Sequence, residues 1–397
     1  MRRYTKSLNI VRVNQKAAGR VRSGHPWIFS SDVADRGPST PGEAVRVLDH
    51  RGRLLGSALF SSTSQITLRL YSESGEPFDA DLVRRRLAGA IAHRASVVSN
   101  SEAYRLVFSE ADLLPGLIVD RYGPYLVVQT LSQGVERALP LIVECLTELL
   151  QPAGILARND ASIRKLEGLV LETKVLAGEI PERAEIKMNG LGLTADLMHG
   201  QKTGVYLDQR ENYLAAAARV PRGESVRVLD CFTSTGGFAL HASPYCSSVE
   251  AVDSSAAALA TAQDNARRNR RENIEFRQAD VFEFLVGISG RGRRYDMVVL
   301  DPPAFAKSRR DLDDAARGYK EINLRALRLL DSSGVLVSCS CSHHINEAAL
   351  YEIIAAAALD AGKTLRVLER RTQAQDHPIL LTVPETLYLK CLILQVL

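Results

Sequence analysis

The most constraining feature of the chain is a unit repeated through its second half. A short apolar run ends on or beside an aspartate, a helical stretch follows, and another such run begins. RVLDCF (227–232) carries Asp230, SVEAVD (248–253) ends on Asp253, IEFRQAD (274–280) on Asp280 and YDMVVLD (295–301) on Asp301. A fifth run, GVLVSCSC (334–341), closes on cysteine. Continuous Val/Leu strands alternating with helices are covered on both faces, which predicts an α/β fold around a parallel sheet. Ligands of such sheets bind beyond the carboxyl ends of the strands. The spacing therefore places four carboxylates and a thiol where a ligand sits.

The first turn, TSTGGF, contains Gly236 and Gly237 but no G-x-G-x-x-G, so the phosphate cradle of a dinucleotide site is absent and an oxidoreductase is disfavoured. Asp253, 23 residues after Asp230, still suits two ribose hydroxyls. Acids after every strand, with no phosphate cradle, suit an unphosphorylated nucleoside bearing a sulfonium and an ammonium. S-adenosylmethionine fits. Asp230 then faces its methionine end, Asp253 its ribose and Asp280 its adenine amino group. One strand-end aspartate is commonly a cap; four in order carry the argument. DPPAFAKS (301–308) has Ala304 after the prolines and Phe305 one position late for the motif that holds an exocyclic amine, which weakens N-methylation.

A cysteine beside that pocket has a use. C5 of a pyrimidine is a poor nucleophile, and thiolate addition at C6 activates it. Cys339 and Cys341 lie on one side of a strand, so alternation does not choose between them; strand-end position favours Cys341. His343 and His344 are nearby groups that would favour the thiolate, or else polar residues entering a helix. In other settings the two cysteines would be small strand residues. None of the six cysteines has zinc spacing, so no metal is expected, and buried thiols in a reducing cytoplasm are the default.

The first half differs. VRVN, EAVRVLD, LLGSALF and ITLRLY read as short strands of a small barrel-like unit. Residues 1–75 hold 12 Lys/Arg and 5 Asp/Glu, a net of +7, against 38 and 41, a net of −3, in the rest. A basic front on a near-neutral body suggests a polyanion-binding module, with a solvated basic surface as the plain alternative. Arg20, Arg22, His25 and Trp27 cluster in GRVRSGHPWIFS (19–30) and are the candidate RNA contacts, although a lone Trp is more often core than stacking platform. A helix follows over 79–98, then a hairpin turning at Tyr122-Gly123-Pro124. At ~100–200 residues per domain, 397 residues make two or three. The divisions read as 1–75, 76–188 and 189–397. No run approaches the ~18 apolar residues of a membrane span, and no targeting segment is read.

These residues together resemble the bacterial ribosomal RNA large subunit (cytosine-5)-methyltransferase I family. The resemblance runs through GHPWIFS, GLIVDRY, RNDASIRKLEGL, GQKTGVYLDQREN, VLDCFTSTGGFALHA, DPPAFAKS, SCSCSHH and DHPILLTVPETLYLK, nearly the whole chain. It implies an N-terminal PUA domain, a central β-β-α-β-β domain and a class I (Rossmann-like) methyltransferase. It also implies S-adenosylmethionine as donor and a 23S ribosomal RNA cytosine, on naked or partly assembled RNA, as acceptor. A cytoplasmic enzyme follows, and a homodimer is compatible. Cys341 matches the family's nucleophile and Asp301 its strand-four acid, expected on the cytosine edge. Lys202, Thr203, Gly204 and Tyr206 would line the cofactor entrance, with Phe232 in the first turn. Thr233 and Ser234 depart from the Cys and Tyr common there. The alternatives are a ribosomal RNA methyltransferase acting on guanine N7, which needs no cysteine, and a non-catalytic RNA-binding assembly factor.

Overall fold

The computed structural model describes residues 8–200, 202–289, 292–305 and 312–397. Gln201 and residues 306–308 of the DPPAFAKS segment lie outside the described residues. The chain divides into two compact units. One comprises Met1–Ile186, Ala195–Gly204 and Gln375–Thr386; the other comprises Lys187–Thr194, Val205–Ala374 and Leu387–Leu397.

The second unit is built on seven strands: β1 (Arg227–Cys231), β2 (Ser248–Asp253), β3 (Ile274–Gln278), β4 (Tyr295–Leu300), β5 (Leu330–Ser340), β6 (Leu365–Arg371) and β7 (Lys390–Val396). Their order across the sheet is β3-β2-β1-β4-β5-β7-β6. β1 to β5 are parallel, and β7 is antiparallel to both neighbours. The chain winds outward from β1 to β3, then returns to lay β4 against the other side of β1. That reversal is the topological switch point of a doubly wound sheet, and its crevice opens at the carboxyl ends of β1 and β4. The helices Leu312–Arg328 and Glu347–Asp360 cover one face, where Leu229, Val298, Leu336, Ile322 and Leu350 are fully buried. The α/β class and the Rossmann-like sheet read from the sequence are present.

In the first unit, six short strands between Asn9 and Ser72 form one sheet. Register shifts at Ile28/Phe29, Val47/Leu48 and Ser57/Ala58 bend it toward a barrel. Its core includes Val13, Ile28, Val45 and Leu68. One element was not anticipated: residues Gln15–Arg22 form a helix, capped by Asn14, whose side chain accepts from the Ala17 N–H. Ala17, Ala18 and Val21 are its buried face. Arg20 and Arg22 therefore stand on a helix and not in a loop. A second, five-stranded sheet carries the hairpin Leu117–Tyr122/Tyr125–Thr130, with Tyr122 facing Tyr125 and Gly123 in the left-handed region at φ 59°. The helix Ala80–Val97 opens at Asp79, whose carboxylate accepts from Leu82 N at 3.1 Å.

Candidate active site

β1 delivers Asp230 into the interior, where the side chain is fully buried. Its Oδ2 accepts from Thr233 Oγ1 at 2.6 Å and from Ala239 N at 3.0 Å. Oδ1 is buried without a hydrogen-bond partner among the described residues. Desolvation pushes the carboxyl up to about 7, against those two hydrogen bonds, and the nearby carboxylates of Asp301 and Asp253 add to the rise. An unsatisfied buried carboxylate oxygen at a switch point is a place for a cationic ligand group.

The first turn is strained and heavily held. Phe232 (φ 64°), Ser234 (φ 50°) and Gly236 (φ 89°) all adopt left-handed backbone. β2 holds the turn in place: Ser234 N donates to Asp253 Oδ2 at 2.9 Å, and Thr233 N to Val252 O at 3.0 Å. Asp253 Oδ1 accepts from Ser255 N at 2.9 Å. At Gly237 a Cβ would lie 2.4 Å from Tyr213 Cζ, so only glycine admits that ring. Tyr213 sits edge-on to Phe238 and stacks on His241. Burial lowers His241 to about 4. The ring is therefore neutral, with its Nδ1 proton donated to Gly237 O at 2.7 Å and Nε2 accepting from Asn189.

The remaining acids have distinct surroundings. Asp280 is exposed and accepts from Glu283 N at 3.1 Å, opening the helix Val281–Ser289. Asp301, just past β4, is half-buried and accepts from Gln209 Nε2 at 2.9 Å. Gln209 in turn accepts from Asn212 at 2.7 Å. Tyr206 is half-buried; burial raises its hydroxyl pKa, and Asp301, Asp208, Cys341 and Asp253 push it further. Those groups therefore share one electrostatic neighbourhood with the tyrosine.

Burial separates the two cysteines that alternation could not. Cys339 lies within β5, fully buried and directly opposite Cys391 of β7, and desolvation raises its thiol far above the usual range. Cys341 follows the end of β5 and is half-exposed. Both neighbours of Cys341 are fixed. Ser340 Oγ donates to Tyr319 Oη at 3.0 Å, which leaves the tyrosine proton for Ser342 Oγ at 3.1 Å. Tyr319 comes from the helix Leu312–Arg328, is fully buried, and packs 4.6 Å from the Phe305 ring. Lys390 Nζ donates to Ser342 O at 2.7 Å and Tyr388 O at 2.9 Å. His343 and His344, the cations suggested by sequence proximity, are exposed. Among the described residues a buried lysine, Lys390, reaches this segment; sequence reading did not single it out, nor Tyr319 or Gln209.

Of the residues assigned to the cofactor entrance, Tyr206 belongs to this unit, while Lys202, Thr203 and Gly204 belong to the first. There Thr203 Oγ1 donates to Asp120 Oδ2 at 2.6 Å and accepts from Tyr122 Oη at 2.8 Å. Gly204 lies against the Tyr122 ring, where a Cβ would approach to 3.2 Å. Lys202 is exposed.

The front-end candidates also have internal partners. Arg20 pairs with Asp32 at 2.9 Å and lies over the Phe29 ring; Arg22 pairs with Asp49 at 2.5 Å. His25 meets Glu385 at 3.3 Å, and Trp27 Nε1 donates to Glu110 at 2.8 Å.

Two family models match: a PUA-like domain over residues 11–73 and an S-adenosylmethionine-dependent methyltransferase over 170–394. The chain is 40% identical over 385 residues to ribosomal RNA large subunit methyltransferase I of Shigella boydii, covering 94% of this chain and 96% of that one. It belongs to that family. The fold agrees: a structure from Streptococcus mutans, provisionally assigned as a SAM-dependent methyltransferase, aligns with a TM-score of 0.83 at 19% identity over 98% of this chain and all of that one. A second structure, solved in complex with SAH, aligns equally well. S-adenosylmethionine is thus the family's donor, and the buried Oδ1 of Asp230 and the cradle at Gly236-Gly237 fit its cationic methionine end. No helix among the described residues is long and apolar enough to cross a membrane.

Proposed function

We propose that the chain methylates C5 of a cytosine in large-subunit ribosomal RNA, with Cys341 as the transient nucleophile. The observation that carries this reading is a half-exposed thiol just beyond β5, one strand from the switch point, with both flanking residues immobilised by Tyr319. S-adenosylmethionine, when bound, supplies the methyl group that C5 takes. Asp230 holds its methionine end, Asp253 the ribose side and Asp280 the adenine side, with Tyr206, Phe232 and the backbone at Gly236 and Gly237 closing around it.

The chain's own chemistry is covalent. Cys341 Sγ bonds to C6 of the base, and the electron pair of the 5,6 double bond becomes available at C5. Asp301 hydrogen-bonds the base edge and stabilises the adduct. Transfer of the C5 proton to water restores the double bond as Sγ leaves C6 with the C–S electron pair, as thiolate. Residues 1–75 serve as the RNA-docking module, 76–188 as the central domain and 189–397 as the catalytic domain. Arg20, Arg22, His25 and Trp27 shape the docking surface.

RNA carrying 5-fluorocytosine tests the mechanism, because fluorine at C5 cannot leave as a proton and traps the adduct. Incubation with donor should give a protein–RNA species stable to denaturation, with the cross-link on Cys341. Methylation of a guanine, or undiminished transfer by Cys341→Ser, would overturn the assignment.

A further inference from the structure

Lys390 lies deep in the second unit and is nowhere used by the chemistry above. β5 and β7 pair antiparallel with Ser340 directly opposite Lys390. The lysine side chain begins opposite residue 340 and ends on the carbonyl of residue 342. Nζ therefore comes to rest on the peptide next to Cys341 in the chain. The second bond of Nζ, to Tyr388 O, ties the same nitrogen to the strand's own approach segment. Two N–H groups are used on carbonyls in either charge state. The third tetrahedral position is a lone pair in the amine and an N–H in the ammonium.

We propose that Lys390 is the counter-charge of Cys341: a positioning residue that takes the thiol proton and holds Sγ as thiolate, ready for addition to the base. The proton balance is internal. The S–H bond breaks, an N–H bond forms on Nζ, and a neutral pair becomes an ion pair with no change in net charge. The inference rests on reading Cys341 as the nucleophile.

Electrostatics are consistent with this placement. Burial lowers the lysine pKa to about 8, and Cys341 is the group that pushes it back up. An amine poised there exchanges a proton with a thiol near neutrality. Among the described residues, the other groups that act electrostatically with Cys341 include Tyr319 and Tyr206, whose hydroxyl pKa values burial raises, and Asp301 acts on both tyrosines. None of these named groups carries positive charge. The exposed His343 packs near Tyr388 on the outer side.

The test is site-resolved alkylation of the full-length chain by iodoacetamide across pH, read by peptide mass spectrometry, with the buried Cys339 and Cys391 as internal references. The wild-type Cys341 profile should have its midpoint clearly below the ordinary thiol value of about 8.5. Lys390→Met should slow alkylation of Cys341 at neutral pH about tenfold, one pKa unit in thiolate population. Lys390→Arg should retain more reactivity than Lys390→Met, and donor binding should survive in both. A wild-type midpoint at or above about 8.5 overturns the proposal without any variant that must fold. So does an unchanged profile in a folded Lys390→Met. If Cys341→Ser still methylates RNA, the nucleophile reading fails separately, because the alkylation profile reports the ion pair whether or not the thiol attacks.

Discussion

The six-stranded front sheet and the strand ends of the seven-stranded sheet use charged residues in opposite ways. At the front, Arg20 and Arg22 are paired with Asp32 and Asp49, two acids already counted in the net of +7, so the excess of residues 1–75 rests on the other basic side chains. At the strand ends of the second unit, charge is desolvated: Asp230 keeps one buried oxygen unpartnered, and Lys390 is buried. Charge paired within the fold shapes a module, whereas desolvated charge is a standing cost that a ligand or a reaction can relieve.

The sharpest way to break this contrast is at the thiol. Cys341→Ala should lower methyl transfer on the order of a thousandfold or more, while donor affinity changes little. A rate within tenfold of wild type, in single-turnover assays, would remove the catalytic half of the comparison. Next in size is Gly237→Ala. With a Cβ 2.4 Å from Tyr213, the ring or the turn must move. Such overpacking costs about 1–3 kcal/mol, and calorimetry should show a lower melting temperature together with weaker donor binding.

Asp230 offers a test in pH. Its folded pKa, about 7, lies above the ordinary 3.8, so the folded state binds the proton more tightly than the unfolded chain. The stability this contributes is present below about pH 4 and is lost as pH rises through 7. Asp230→Asn should flatten denaturation profiles across that window. In the wild type, donor affinity should increase as pH rises through 7, because an ionised Asp230 meets the donor ammonium. An Asp230→Asn protein with the wild-type pH dependence would assign the effect elsewhere. The smallest effect is expected at the front. Arg22→Ala should change stability by no more than about 1 kcal/mol, because Arg22 is half-exposed and the buried Asp49 keeps Arg53 Nε and the N–H groups of Arg51 and Arg53. It should leave the salt dependence of RNA binding nearly unchanged. A clear drop in that salt slope would mean the Asp49 pair yields to phosphate.

How far the sequence could be read follows the range of the interactions. The strand-end aspartates stood out because each lies in the apolar run that places it. The switch point followed from the alternation of strands and helices. The helix Gln15–Arg22 was missed because eight residues, with Gly19 among them, carry too little periodicity to separate from the surrounding short strands. Strand-end position favoured Cys341 over Cys339 in the sequence; the burial of Cys339 opposite Cys391 was not legible there. Lys390, Tyr319 and Gln209 were silent for the same reason. Each reaches the strand ends from an element distant in sequence, and β7 enters the sheet against the local direction of the chain. At the front, the charge of Arg20 and Arg22 was visible in the sequence and their pairing with Asp32 and Asp49 was not.

The insertion of β7 between β5 and β6 also bears on how the protein is made. Until residues 390–396 have left the ribosome, the long strand that leads to Cys341 has no neighbour on one side and offers a Val-Leu-Val backbone edge to any chain nearby. A polypeptide lacking residues 390–396 would therefore expose that edge and be adhesive.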